Sequence, residues 1–217
     1  MPPSTTHTLW QLLDTVADPE VPVLSILDLG IVRRVRIGDA VSEWTDQREL
    51  LEQSDTIIDA NAAYQAYAAT ALIENLPLPT AHLVADHVPL ERQTSSFDLS
   101  ELRYTPIELV ITPTYSGCPA VHAIEIALRL ALAAAGLPHA QINTVLSPPW
   151  TSDWLTQRGH NRLRAYGIAP PNRTGKVRCP ICGSEHTELL SQFGSTACKS
   201  LYRCQDCLEP FDYFKCH

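Results

Sequence analysis

Two cysteine pairs constrain this chain more than any other feature. Cys179-Pro180-Ile181-Cys182-Gly183 and Cys204-Gln205-Asp206-Cys207 lie near the end of the 217-residue sequence, and 21 residues separate Cys182 from Cys204. A two-residue gap lets both sulfurs of a pair reach one ion, and Gly183 permits the tight turn behind the first pair. Four thiolates make a tetrahedral donor set that suits Zn²⁺. Residues 171–217 number only about 45, too few for a core without a staple. A separate zinc-ribbon domain over 171–217, with one structural Zn²⁺ on Cys179, Cys182, Cys204 and Cys207, is therefore expected. Iron–sulfur ligation or redox-active thiols are the alternatives for these four cysteines. Cys198, Cys216, His186 and His217 are spare donors, of which His186 or Cys198 is placed to displace one of the four. From 172 onward, six Lys or Arg face five Asp or Glu, too weak a balance for a DNA-reading finger.

The rest of the composition narrows the class. Net charge is −8 with a pI near 5.4, which argues against a non-specific nucleic-acid binder. The start, Met-Pro-Pro-Ser-Thr-Thr-His, has neither a basic segment nor an apolar run of a secretory signal. No uninterrupted apolar run approaches the ~18 residues of a membrane span. Seven cysteines are an odd count. In an apparently cytoplasmic protein they read as thiols or metal ligands rather than a disulfide framework.

The centre of the chain carries a second chemical candidate. Ile107 to Thr112 is rich in β-branched residues and reads as a strand that Pro113 ends. Tyr115-Ser116-Gly117 is turn chemistry, and Pro119 suits a first helical turn. Val121, Ile124, Leu128 and Leu132 then recur at helical spacing, with Glu125 and Arg129 four apart on another face. Cys118 sits at this strand-to-helix junction. Backbone N–H groups and the helix dipole there are expected to lower its pKa, which suits a thiolate that attacks or holds a metal. A small buried apolar cysteine is the alternative.

Before that strand, Leu9, Leu12, Leu13 and Val16 mark a first helix that ends ahead of Asp18-Pro19. Asp18 and Glu20 lie in a stiff loop, either as a metal-facing or proton-handling pair or as backbone caps. Residues 31–37 form a half-exposed strand, with Arg34 and Arg36 on its polar face. Residues 39–104 read as an insertion without a chemical motif. Within it, Thr45 is expected to cap a short helix through Glu52. Ile57, Asn61, Tyr64, Ala68 and Leu72 suggest a longer helix, and His82 and His87 are an isolated pair. Strands 31–37 and 107–112 should still be antiparallel neighbours. After the central helix, Gly136 is a C-terminal cap and Gln141 to Leu146 a third strand. Ser152 or Asp153 should cap a last helix that Gly167 stops, and 169–175 is a linker by composition. Trp150 and Trp154 serve either as a partner-binding surface or as a lid on the core.

Several of these stretches carry a family resemblance. Asp18-Pro19-Glu20-Val21-Pro22, Asp28-Leu29-Gly30, Thr112-Pro113-Thr114-Tyr115-Ser116-Gly117-Cys118-Pro119, Pro149-Trp150-Thr151-Ser152-Asp153-Trp154, Gly167-Ile168-Ala169-Pro170-Pro171, the two cysteine pairs and the tail Glu209 to His217 resemble the PaaD family. These are the D subunits associated with bacterial phenylacetyl-CoA epoxidase systems. The N-terminal part is similar to the metal–sulfur cluster assembly family that includes SufT. The resemblance covers about 7–38 and 105–217 and departs at 39–104, where that family has only a short hairpin.

The resemblance implies an α+β protein: a small mixed sheet with helices over 1–170, SufT-like and carrying the insertion, then a zinc ribbon over 171–217. It implies an accessory protein of phenylacetate catabolism, not a catalyst, that assists iron or iron–sulfur centre assembly in a di-iron oxygenase with a flavin and iron–sulfur reductase. The oxygenase and reductase subunits are then the partners, and a homodimer stays open. Cys118 with Asp18 and Glu20 would hold iron or a cluster transiently. The chain shows no phosphate-binding loop, flavin fingerprint or di-iron Glu-x-x-His pair. A thiol-redox protein and a zinc-ribbon interaction module are the rival readings.

Overall fold

A computed structural model describes residues 5–52 and 99–215. The expected helix through Ile57 and Leu72, the His82 and His87 pair, Cys216 and His217 lie outside the described residues. Among those described, helix α1 (Thr5–Asp14) leads to a hairpin of β1 (Val32–Ile37) and β2 (Ala40–Glu43), then α2 (Trp44–Glu52). The chain resumes with β3 (Ile107–Ile111), α3 (Ala120–Ala134), β4 (Gln141–Thr144) and α4 (Gln157–Ala165). Strands β5 (Thr187–Ser191), β6 (Lys199–Cys204) and β7 (Pro210–Phe214) close it. The fold is thus α+β, with a four-stranded mixed sheet and a separate three-stranded antiparallel sheet.

In the first sheet the order is β2-β1-β3-β4. Strands β1 and β3 are antiparallel neighbours, as their patterns require, although the insertion separates them in sequence. On β3 the buried residues alternate, at Ile107, Leu109 and Ile111, while on β1 a register shift between Val32 and Arg34 leaves the buried Val32 and Val35 three apart. On the polar face Arg34 lies opposite Glu43 and Arg36 opposite Glu108, each pair 2.6 Å apart. These cross-strand pairs match the register that the apolar face sets. Strand β4 runs parallel to β3, which requires the helical crossover that α3 provides.

Several local expectations shift. The insertion opens with β2, which pairs with β1 as a hairpin. Helix α2 starts at Trp44, which places Thr45 inside the first turn rather than at its cap. Helix α3 buries Ala120 and Ala123 with Ile124, Leu128 and Leu132, while Val121 is half-buried. Strand β4 stops at Thr144. The cap of α4 is Thr156, whose side chain accepts from Gly159 N; Ser152 and Asp153 form a separate 3₁₀ turn. Gly136 and Gly167 do end α3 and α4, at φ values of 88° and 89°.

A buried ionic network ties the first domain together. Arg158 on α4 is 9% exposed and reaches Asp14 through Nη1 at 2.9 Å and Nη2 at 2.5 Å. Its Nε donates to Asp28 Oδ1 at 2.7 Å, and Arg162 Nη1 donates to Asp28 Oδ2 at 2.6 Å. Thr156 Oγ1 and Ser25 N also donate to Asp28, and Ser25 Oγ donates to Asp14. Each carboxylate therefore has several donors, the condition under which a buried ion pair is tolerated.

The tryptophans pin the same loop. Trp150 Nε1 donates to Leu29 O at 2.7 Å and Trp44 Nε1 to Leu27 O at 3.1 Å. Trp154 carries the Arg33 guanidinium 3.5 Å from its ring centroid. Of the two roles open to Trp150 and Trp154, covering the core is the one their contacts describe. Gly30, at φ 65°, lies so close that an added Cβ would meet Trp154 O at 2.8 Å. Only glycine fits both that backbone and that gap.

The small sheet does not hang free. Its inner residues Ala169, Val177, Cys179, Cys204, Phe211 and Tyr213 form a core of their own. Phe214 and Cys198, however, belong to the larger core, and Phe214 meets the edge of Trp150 at 6.3 Å between centroids. Ala169, read from composition as linker, exchanges backbone hydrogen bonds with the β7 strand through Asp212 O and Phe214 N.

Replacing Arg158 by alanine leaves Asp14 and Asp28 buried beside a missing cation. The expected loss is about 3–5 kcal/mol of unfolding free energy. Urea denaturation of Arg158→Ala measures it; a loss under about 1 kcal/mol, the range of an exposed pair, would show the network to be expendable.

Candidate metal centre and functional thiols

The ribbon cysteines converge. Cys179 and Cys182 flank the first turn and Cys204 and Cys207 the second, and their four sulfurs all lie within 4.8 Å of one another. Cys179 Sγ is 3.7 Å from Cys207 Sγ, and Cys182 Sγ is 3.5 Å from Cys204 Sγ. A tetrahedral ion with Zn–S bonds of about 2.3 Å needs sulfurs about 3.8 Å apart, so the donor set fits one zinc. Each pair is followed by a left-handed residue, Gly183 at φ 78° and Leu208 at φ 67°. Leucine disfavours that region, which is why the second turn is harder to see in sequence than the first. Cys207 N donates to Cys204 Sγ at 3.5 Å and, with other donors, pulls that thiol down to about 6. His186 lies outside the set, with Nδ1 against Asp206 at 3.3 Å.

The second site gathers at the start of α3. Cys118 lies two residues before the helix, half-buried, below the exposed Ser116 and Gly117. Asp18 and Glu20 lie in the loop after α1, which closes on itself through Asp18 N to Leu24 O and Ile26 N to Val16 O. Asp18 Oδ1 accepts from Glu20 N and Val21 N, both at 2.8 Å, so the backbone-capping role holds for this residue. Its charge nevertheless acts on Cys118, as does that of Glu20.

The expected activation of Cys118 is not found. Burial, then the Asp18 charge, push its thiol up to about 11, and the Ala120 N–H and Thr114 hydroxyl offset only part of this. Without a cation the group is a protonated thiol. Burial also raises the carboxyl of Asp18, and burial followed by the Asp18 charge raises that of Glu20. Ionising either group therefore costs the folded state free energy.

Sequence reading missed the remaining member. Cys198, counted there as a spare ribbon ligand, lies just before β6 and donates its S–H to Glu20 Oε2 at 3.6 Å. It is 4% exposed, and burial pushes it up to about 12. Tyr115 is within electrostatic range of Cys118, Glu20 and Cys198 together. Buried Lys199 supplies positive charge to Asp18, Glu20 and Cys198, while its Nζ pairs with Asp212 at 3.5 Å. The one available signal was arithmetic: Cys198 is left over once the two pairs are assigned.

The raised carboxyl of Glu20 has a defined sign. Its contribution is present below the ordinary carboxylate pKa and is lost as pH rises through the folded value. Glu20→Gln should therefore raise the melting temperature at pH 7, by an amount that shrinks as pH falls to 4. Melting curves at both pH values check this, and a lower melting temperature at pH 7 would contradict it.

Comparisons with known proteins agree with this anatomy. Residues 167–215 match the PaaD zinc beta ribbon domain. The chain is 36% identical, over 222 aligned positions, to an Escherichia coli K12 protein provisionally named as the D subunit of 1,2-phenylacetyl-CoA epoxidase; the match covers 99% of this chain and 94% of the relative. No solved structure matches. No helix among the described residues is long and apolar enough to cross a membrane. An alignment of that identity over nearly the full length of both chains, together with the ribbon match, places this chain in the PaaD family, the D subunits of phenylacetyl-CoA epoxidase systems.

Proposed function

We propose that this chain is a cytoplasmic accessory protein of a phenylacetyl-CoA epoxidase system, acting in phenylacetate catabolism by helping to assemble an iron or iron–sulfur centre in the oxygenase or reductase subunits. One observation carries the reading: the charges of two carboxylates, Asp18 and Glu20, both act on the Cys118 thiol, apart from the closed four-cysteine set. A soft donor beside hard ones suits iron in transit, and the site opens toward solvent at Ser116 and Gly117. The metal is cargo here, not a resident cofactor.

The ribbon has a different task. Cys179, Cys182, Cys204 and Cys207 hold one structural Zn²⁺, which supplies the folding energy that so small a sheet lacks. Exposed Ile181, Leu189, Leu190, Phe193 and Leu208 lie on the same ribbon and favour it as the surface that meets a client subunit. The interaction-module reading thus survives as part of the function. The thiol-redox reading is disfavoured, because Cys118 and Cys198 are both pushed far above neutral pH and attack as thiolates poorly.

Cys182→Ser removes one ligand of the closed set. It should abolish stoichiometric zinc and unfold the ribbon. Because Phe214 belongs to the larger core, the first domain should also lose about 1.5–3 kcal/mol, the worth of one buried phenylalanine. Zinc analysis with near-UV circular dichroism reads both effects; retained zinc with an unchanged ribbon spectrum would refute the ligand assignment.

Cys118→Ser separates chemistry from scaffold. Folding should change by about a kilocalorie or less. Growth on phenylacetate should fail and the epoxidase components should be iron-depleted, since a hydroxyl is a poor ligand for soft metal centres. Iron occupancy in cells carrying only this variant is the measurement, and wild-type occupancy with wild-type growth would end the maturation reading for Cys118.

A further inference from the structure

The two cysteine turns of the ribbon carry apolar side chains that the fold does not use. Leu208 follows Cys207 directly, at φ 67°, and is 68% exposed. Glycines aside, it is the one residue with positive φ among those described. In that region a β-carbon crowds the following carbonyl oxygen, so leucine is disfavoured and glycine is not. Gly183 directly follows Cys182 in the same way, at φ 78°, and shows the residue that such a turn prefers. Leu208 therefore strains its turn and also leaves its apolar surface in water. An outlier of this kind points to function rather than to folding. Ile181, between Cys179 and Cys182, is exposed as well. The four sulfurs lie within 4.8 Å of one another, so both side chains are mounted on a common base. Leu189, Leu190 and Phe193 are exposed elsewhere on the ribbon, but none of them has a positive φ.

The charges beside Leu208 define what can sit on it. Exposed Asp206 and Glu209 flank it in sequence. The ribbon cations Lys176 and Arg178 are paired with Glu185, and Arg203 with Glu188. Four thiolates around one divalent ion leave that centre negative as well. We propose that this knuckle tip, with Leu208 and Ile181 as apolar anchors, docks a protein partner that presents an apolar depression rimmed by Lys or Arg. This names the chemistry of the contact face on the client subunit proposed above and rests on that reading. Leu208 fills the depression, and the basic rim meets Asp206 and Glu209. The strain at Leu208 is then offset in the complex, where its surface leaves water. An anionic lipid surface or a nucleic acid is repelled by the same carboxylates.

The test uses the full, zinc-loaded chain, with purified oxygenase and reductase subunits of the same epoxidase system as probes. Isothermal titration calorimetry at low and high salt measures binding, and sedimentation detects self-association. Wild-type protein should bind one of the subunits, more weakly as salt rises, as a charged rim requires. Leu208→Gly and Leu208→Asn suit the left-handed turn, so both should keep zinc and melt no lower than wild type. Both should nonetheless bind about tenfold or more weakly, the worth of one buried leucine. Ile181→Ser should also weaken binding, whereas Leu190→Ser, outside the anchor, should change it by less than about threefold. Wild-type affinity in both Leu208 variants overturns the proposal. So does loss of zinc or a lower melting temperature in them, which would give Leu208 a role in the fold. An equal loss in Leu190→Ser moves the contact to strand β5, and binding that ignores salt removes the basic rim. Self-association that the Leu208 variants abolish makes the occupant a second copy. Each of these three results overturns the assignment. Binding of neither subunit by wild-type protein ends the docking proposal, and iron occupancy in Cys118→Ser cells judges the assembly function separately.

Discussion

Arg158 is the point on which the first domain turns. Its guanidinium bridges Asp14 at the end of α1 and Asp28 in the following loop, and Arg162 completes the second carboxylate. These residues lie at opposite ends of the domain's sequence, so the contact closes the whole unit. With both carboxylates buried, the loop from Ser25 to Gly30 has little freedom, and Trp44 and Trp150 fix its carbonyls. The Asp18 and Glu20 segment is hung between α1 and this loop. Both of its ends are anchored, and the charges of its two carboxylates act on Cys118. A buried ion network adds little net stability over well-packed apolar residues, yet losing one of its partners is costly.

The architecture could be read from the sequence where burial has a period. The alternation in β1 and β3 and the helical spacing after Cys118 give the correct elements and the correct neighbours across a long insertion. The four ribbon cysteines announce themselves because metal geometry restricts spacing within each pair. What could not be read depends on meetings in three dimensions. Arg158 and Asp14 have no local pattern that pairs them. Cys198 has no knuckle spacing and sits in a strand approach, so nothing in the sequence turns it away from the ribbon ion. Val121 shows a smaller miss, since helical spacing fixes the period of a face but not its exact centre.

The pKa of Cys118 shows where a position-based argument fails. A helix start favours a thiolate only if other fields are weak. Here one N–H and one hydroxyl face two carboxylates and the loss of solvent. The balance favours the protonated thiol, and a divalent cation would reverse it by neutralising the carboxylates and replacing the proton. The protonated thiol is thus a poor nucleophile on its own.

Cys198 stands immediately before the strand that ends at Cys204, where the second knuckle begins. Its position is therefore inherited from the folded ribbon, whose small core depends on closure around its sulfurs. This imposes a sequence in time. A newly made chain has a place for Cys198 beside Glu20 only after the ribbon has formed. An immature molecule offers Glu20 without that thiol, so the surroundings of this carboxylate are completed last.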